Sequence, residues 1–199
     1  MSKRTVVTIG REYGSGGRVV AKKVAETLGV PFYDKELIAM AASDTGLAES
    51  FIRNAEEQKV SSLLYNLYFS SQSLPLYDQL FIAQSKIIKK VAEEGGCVIV
   101  GRCADYVLHD HPGCLHIFIH APLEDRMRRA REYGDCGEDP RALRTHVIKC
   151  DRARASYYNH FTMNKWGKAH NYDLTINSSL GLDLVAEMIV GVAQRMEDR

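Results

Sequence analysis

TVVTIGREYGSGGRVVAKKVAETLG, residues 5–29, decides how the rest of the chain is read. Its first residues, Thr5 to Ile9, are β-branched or apolar nearly throughout, which predicts a strand covered on both faces. Val20, Val24 and Leu28 then recur every four residues before Gly29, which predicts a helix from about Arg18 to Leu28. Between the two lie Gly10, Gly14, Gly16 and Gly17, four glycines within eight residues. Glycine loses more conformational freedom on folding than any other residue, so this is an unfavourable way to build a mere turn. A glycine-rich loop that opens a helix leaves N–H groups uncapped at the positive end of the helix dipole, where they hold phosphate oxygens.

Two phosphate motifs compete for these glycines. The dinucleotide fingerprint GxGxxG takes Gly14 and Gly16 but meets Val19 at its third glycine, with Asp34 standing about 20 residues on as the ribose partner. That match would make the chain a nicotinamide-dependent dehydrogenase. The loop GxxxxGK[ST] fits in length and at Gly16, but has Arg11 at its first glycine, Gly17 where lysine belongs and Arg18 where Ser or Thr belongs.

Outward from this stretch, four more runs predict strands: Pro31 to Tyr33, Val98 to Val100, Leu115 to Ile119 and Leu174 to Ile176. Helical patterns separate nearly every pair, so the expectation is an α/β domain with a parallel sheet, the first strand central and flanked by the third and fourth. One domain over residues 1–199 is the default at this length. Residues 35–95 show no convincing strand and predict a helical insertion. It includes an aromatic segment from Ser61 to Ser73, a break at Pro75 and a long helix from about Tyr77 to Glu94. Pro122 to Tyr133 predicts a basic helix, Gly134 to Asp139 a turn, Pro140 to about Tyr158 another helix, and Leu182 to Met196 a final amphipathic one.

A formal net charge of +1 gives no general reason to expect nucleic acid or an acidic membrane as partner. No apolar stretch approaches the roughly 20 residues that span a bilayer, and Gly10 and Arg11 interrupt the N-terminal apolar run too soon for a signal peptide. Cys97, Cys103, Cys114, Cys136 and Cys150 form no CxxC pair and no zinc spacing, which suits free thiols in the cytoplasm.

With GREYGSGGRVVAKKVAETLGVPFYDKEL, then VIVGRCADYVL at residues 98–108 and a later DRARASYY, the chain resembles the cytidylate kinase-like family over nearly its whole length. The resemblance implies a three-layer P-loop NTPase fold with a five-stranded parallel sheet in the order 2-3-1-4-5. It also implies a substrate-binding helical insertion after the second strand and an arginine-bearing lid, here about residues 122–158. The implied activity is transfer of the ATP γ-phosphoryl group to a small acceptor, first of all a cytidine monophosphate-like nucleotide, with Mg²⁺ bridging donor phosphates. Arg11, Gly14, Ser15, Gly16, Gly17 and Arg18 would hold the donor. Arg128, Arg129 and Arg131 resemble lid arginines, and Gly101-Arg102 resembles the Gly-Arg-Asp of cytidylate kinases, with Cys103 for the Asp and Asp105 two residues on. Asn177-Ser178-Ser179 stands where those enzymes have Asp-Ser-Thr. Gly17 departs from the P-loop lysine, and a nucleotide-binding or regulatory protein without transfer chemistry is the alternative it favours.

The remaining candidates each have a second reading. Arg102 suits an acceptor phosphate or a local ion pair to an acid such as Asp105. Asp34 suits Mg²⁺-bound water or an acceptor proton, or else the cap of the next helix. The arginines at 126, 128, 129 and 131 suit a phosphate clamp, with Arg128 and Arg131 on one side, or a solvated face. Arg53, Arg152 and Arg154 complete the acceptor set, although Asp151, Arg152 and Arg154 equally suit a structural ion-pair network. Trp166 and His170 fit a base pocket or core. Arg18, helped by Lys22, is the expected replacement for the lysine. Leu63 to Phe69 fits a homo-oligomer interface as well as a core helix.

Overall fold

The computed structural model describes residues 5–34, 76–133 and 139–197. The elements in chain order are β1 (Val6–Arg11), α1 (Gly17–Leu28), β2 (Phe32–Tyr33), α2 (Leu76–Glu93), β3 (Val98–Val100), α3 (Ala104–Val107), β4 (Cys114–His120), α4 (Leu123–Glu132), α5 (Pro140–Thr162), β5 (Leu174–Asn177) and α6 (Leu182–Glu197). The five strands form one sheet in the order β2-β3-β1-β4-β5. Every neighbouring pair is parallel. The chain therefore has the expected α/β architecture with β1 central. The aromatic segment 61–73, Pro75, Arg53, Cys136 and most of the turn at 134–139 lie outside the described residues.

Alternation along the strands divides the apolar interior into two layers. Val7, Ile9, Val98, Val100, Leu115, Ile117 and Ile119 pack with Val20, Val24, Val185 and Ile189 of α1 and α6. Val6 and Ile99 face the other way, toward Ile87, Ile88 and Val91 of α2 and Leu108 after α3. Side chains buried on both sides explain why these strands read as unbroken apolar runs. On that second face Thr8 Oγ1 and His116 Nδ1 lie 2.8 Å apart, so two buried polar groups of adjacent strands satisfy each other.

Two boundaries differ from the sequence expectation in ways that matter for the site. β1 continues through Gly10 to Arg11, whose register partner on β4 is Ile119, and the Glu12 N–H donates to the Ile119 carbonyl at 3.0 Å. Arg11 is thus the last residue of a central strand rather than part of a loose loop. α5 runs past Tyr158 to Thr162, where Phe161 stacks on Phe81 of α2 with ring centroids 4.3 Å apart. The start of α5 follows the expectation: Pro140 opens it, and the Asp139 carboxylate accepts from the Arg141 N–H at 3.0 Å.

Candidate functional site

The glycine loop runs from the C-terminal end of β1 into α1, the edge at which open parallel sheets bind ligands. Gly14 and Gly16 have φ of 73° and 77°, a left-handed region that other residues adopt only with strain. Room is the second constraint. A Cβ on Gly14 would lie 2.4 Å from the Arg126 carbonyl oxygen, so α4 packs backbone against the loop.

Three arginines hold successive alternate carbonyls of this loop. Arg154 Nη1 donates to the Arg11 carbonyl at 3.1 Å, Arg126 Nη1 to that of Tyr13 at 3.4 Å and Arg129 Nη1 to that of Ser15 at 3.3 Å. Because C=O and the next N–H point oppositely across a trans peptide, drawing the Tyr13 and Ser15 carbonyls outward turns the Gly14 and Gly16 N–H groups the other way. Neither N–H finds an acceptor among the described residues. Gly16 caps α1 without a side chain, and the first turn of α1 has no acidic residue, so the positive end of the helix dipole is open toward an anion.

The braces are themselves fixed by counter-charges. Arg126 is buried with its Nε 3.3 Å from Glu12 Oε2 and its Nη1 bonded to Asp151. Asp151 also accepts from the Tyr13 N–H at 2.7 Å, and Glu12 from the Ala121 N–H at 3.1 Å. Arg129 reaches Ser178 Oγ at 3.1 Å and its carbonyl at 3.2 Å, while Ser178 Oγ donates to the Ser15 carbonyl at 2.6 Å. Arg129 therefore ties α4, the loop and the turn after β5 together. Arg128 is 62% exposed and, among the described residues, pairs with Asp125 and Glu132 of its own helix. Arg131 is exposed as well. The inward pair is thus Arg126 and Arg129, not Arg128 and Arg131. Leu123, Met127 and Ala130, which pack with Leu143 and Val147 of α5, mark the inner stripe of α4 that Arg126 and Arg129 flank. That apolar spacing is the sequence signal that could have found Arg126.

Beside the loop lies a second group. Arg18 Nε donates to Asp34 Oδ2 at 2.5 Å, and Arg11 Nη2 stands 3.7 Å from Asp34 Oδ1. Asp34 directly follows β2 and is buried. Burial, with Arg154, Arg102 and Arg18 nearby and only Asp34 in opposition, pushes the Arg11 guanidinium down to about 9. Burial likewise lowers Arg154, against the favourable charge of Asp151. Four guanidinium groups thus share one edge of the sheet with few carboxylates, and an anion would relieve the excess. Arg102 belongs to a tight turn in which Gly101, Arg102 and Cys103 have φ of 72°, 59° and 56°. Two consecutive non-glycine residues in that region store strain of the kind that clusters at functional sites.

Other candidates fall elsewhere. Asp105 is buried beneath that turn and accepts from Tyr158 Oη at 2.7 Å; burial pushes its carboxyl up to about 6. It joins α3 to α5. Arg152 is exposed on α5. Trp166 packs edge-on to Phe118 at 5.2 Å, and His170 is exposed. Cys97, Cys103, Cys114 and Cys150 form no disulfide among the described residues. Among the described residues no group of three or more His, Cys, Asp or Glu side chains could hold a metal ion, and no helix is long and apolar enough to cross a membrane.

No curated protein matches the sequence. Solved structures do. An uncharacterized protein from Eubacterium ventriosum is 29% identical, with a TM-score of 0.74 over 96% of this chain and 99% of that one. A shikimate kinase from Bacteroides thetaiotaomicron is 12% identical with a TM-score of 0.58, covering 96% of this chain and 98% of that one. A gluconokinase from Sinorhizobium meliloti is 14% identical with a TM-score of 0.57, covering 100% and 96%. At such identities the two kinases carry the fold, that of the P-loop kinases. The cytidylate kinase-like family model matches residues 6–180, from the first strand to the turn beyond the last, and the chain belongs to that family.

Proposed function

We propose that the chain is a cytoplasmic phosphotransferase that moves the γ-phosphoryl group of ATP to a small acceptor, a cytidine monophosphate-like nucleotide first. The observation that carries this is the excess of arginine over carboxylate around the Gly14 and Gly16 amides, which have no acceptor among the described residues. The Ser15 and Gly17 N–H groups make long bonds of 3.3 Å to the Glu12 carbonyl and Ser15 Oγ. The amides of residues 14–18 bind the donor phosphates. Arg126 and Arg129 keep those of Gly14 and Gly16 aimed, and Arg154 fixes the entry to the loop at the Arg11 carbonyl, so little reorganisation accompanies binding. Arg102 and Asp34, at the ends of β3 and β2, stand on the side left for the acceptor, the arginine toward its phosphate and the carboxylate toward its proton. Arg128 and Arg131, exposed on α4 rather than turned to the loop, would have to swing over the transferring group to offset its spread charge. Arg152, Arg154 and Asp105 enter as supports of this site from α5 and α3, and Arg53 as an acceptor contact outside the described residues.

The donor set suits Mg²⁺ as a nucleotide-borne ion. Asp34 is already bonded to Arg18, and residue 18 offers no hydroxyl. When bound with ATP the ion neutralises phosphate charge.

A binding protein of the same fold without transfer chemistry is the second reading, favoured by Gly17 at the lysine position. A thermal-shift panel followed by a transfer assay separates the two. Stabilisation by Mg·ATP and turnover with one nucleoside monophosphate fit the enzyme. Stabilisation without turnover on any common monophosphate fits the binding protein, and stabilisation by NAD alone would contradict both.

A further inference from the structure

In the GxxxxGK[ST] loop the first position is glycine, and the seventh is the lysine that reaches the β and γ phosphates. Here Arg11 holds the first position and Gly17 the seventh. In space the two departures are one. A Cβ added at Gly17 would stand 2.6 Å from Cβ and 3.1 Å from Cγ of Arg11, so the Arg11 stem fills the volume in which a lysine stem would begin. At the far end, a Cβ added at Gly101 would stand 2.1 Å from Arg11 Nη1. The side chain therefore runs from the end of β1, past the first residue of α1, to the turn after β3, with side-chain-free positions clearing both ends.

The head group is poorly matched where it lies. Among the described residues its one ion pair is the 3.7 Å contact with Asp34, a carboxylate that Arg18 already engages at 2.5 Å. A guanidinium carries five donors, and this one, 20% exposed with a single 3.7 Å carboxylate contact among the described residues, gains charge-assisted hydrogen bonds when an anion arrives. Arg102, Arg154 and Arg18 add like charge around it.

We propose that Arg11 is the cation that grips the terminal phosphates in this loop, performing from the first position the role that lysine performs from the seventh, with Gly17 as the clearance it requires. This rests on the nucleotide reading given above. Its ligand is a polyphosphate, because the head group lies against Gly101 and Asp34, outside the 14–18 loop whose amides are assigned the inner phosphates. A planar fork binds two phosphate oxygens at once, whereas a lysine offers a point charge. Arg18 is the competing cation, but it is 60% exposed and committed to Asp34.

Calorimetric titration of the full chain with ATP and with AMP, magnesium present, tests this. Arg11→Gln keeps the stem that packs on Gly17 and removes the charge. It is expected to weaken ATP binding more than about tenfold and AMP binding less than about twofold. The double variant Arg11→Gly with Gly17→Lys rebuilds the ordinary loop and is expected to regain most of the lost ATP affinity. ATP affinity unchanged in Arg11→Gln but lost in Arg18→Ala assigns the role to Arg18 and overturns the proposal while leaving the nucleotide reading intact. Equal weakening of ATP and AMP, or a folded double variant no better than Arg11→Gln, also overturns it. A wild-type chain that binds neither nucleotide removes the nucleotide reading and this proposal together.

Discussion

Arg129 and Arg128 are adjacent in sequence and opposite in consequence. Arg129 is buried and donates to Ser15, to Ser178 Oγ and to the Ser178 carbonyl. Arg129→Met should lower unfolding free energy by about 2–4 kcal/mol in denaturant titration, since it removes three hydrogen bonds made by a buried charged group. Arg128→Ala should change it by less than about 0.5 kcal/mol, because both ion pairs are on the surface. Asp105 supplies a pH signature. Its carboxyl, 3.8 in the unfolded chain, is pushed up to about 6 in the folded one, so between those values the folded chain holds a proton that the unfolded chain has released. The stability this group contributes is complete below pH 3.8 and is lost as pH rises through about 6. Asp105→Asn keeps an acceptor for Tyr158, so its stability relative to wild type should improve by on the order of 3 kcal/mol from about pH 3 to about pH 7. A difference that does not vary with pH would contradict the assignment. At this scale the sequence was a partial guide. It marked the glycines, Asp34 and Arg102 through their places at strand ends, yet whether an arginine faces inward depends on packing that neighbouring letters do not state. Ser178 and Glu12 act through contacts made 163 and 109 residues away in the chain, beyond any local pattern.

Among the elements, α4 does most to shape the loop. Its first turn packs so closely on Gly14 that no side chain fits between them. Gly14→Ala combines that clash with a φ of +73° and should destabilise the fold by about 2–4 kcal/mol, measurable as a lowered thermal midpoint, whereas Gly95→Ala, with open space around it, carries only the backbone strain. If the two variants melted together, the close approach of α4 would not be a constraint. Strands and long helices were legible because burial on both faces and four-residue apolar spacing leave direct marks. The exact ends were less so: β1 gained Gly10 and Arg11 because β4 continues alongside it through Ile119, a partner that only the assembled sheet reveals. The four-residue α3 carried no periodicity to read.

Across the whole molecule the sheet order gathers the ends of β1, β2 and β3 on one edge, bringing Arg11, Asp34 and the Gly101–Cys103 turn within reach of the loop before α1. The central place of β1 between β3 and β4 could be anticipated from the apolar runs, the helices between them and the glycine loop after the first strand, whereas the full order was what the family resemblance implied. The acceptor's identity could not be anticipated, because the family resemblance assigns it to the stretch 35–95, where no spacing fixes side-chain directions. The central claim is that phosphate enters at the loop amides. Titrating Mg·ATP into nitrogen-labelled protein while following backbone amide resonances tests it most directly. Saturable shifts concentrated at Gly14, Ser15, Gly16, Gly17 and Arg18 are the predicted result. Binding that moves other amides and leaves these five in place would contradict the account.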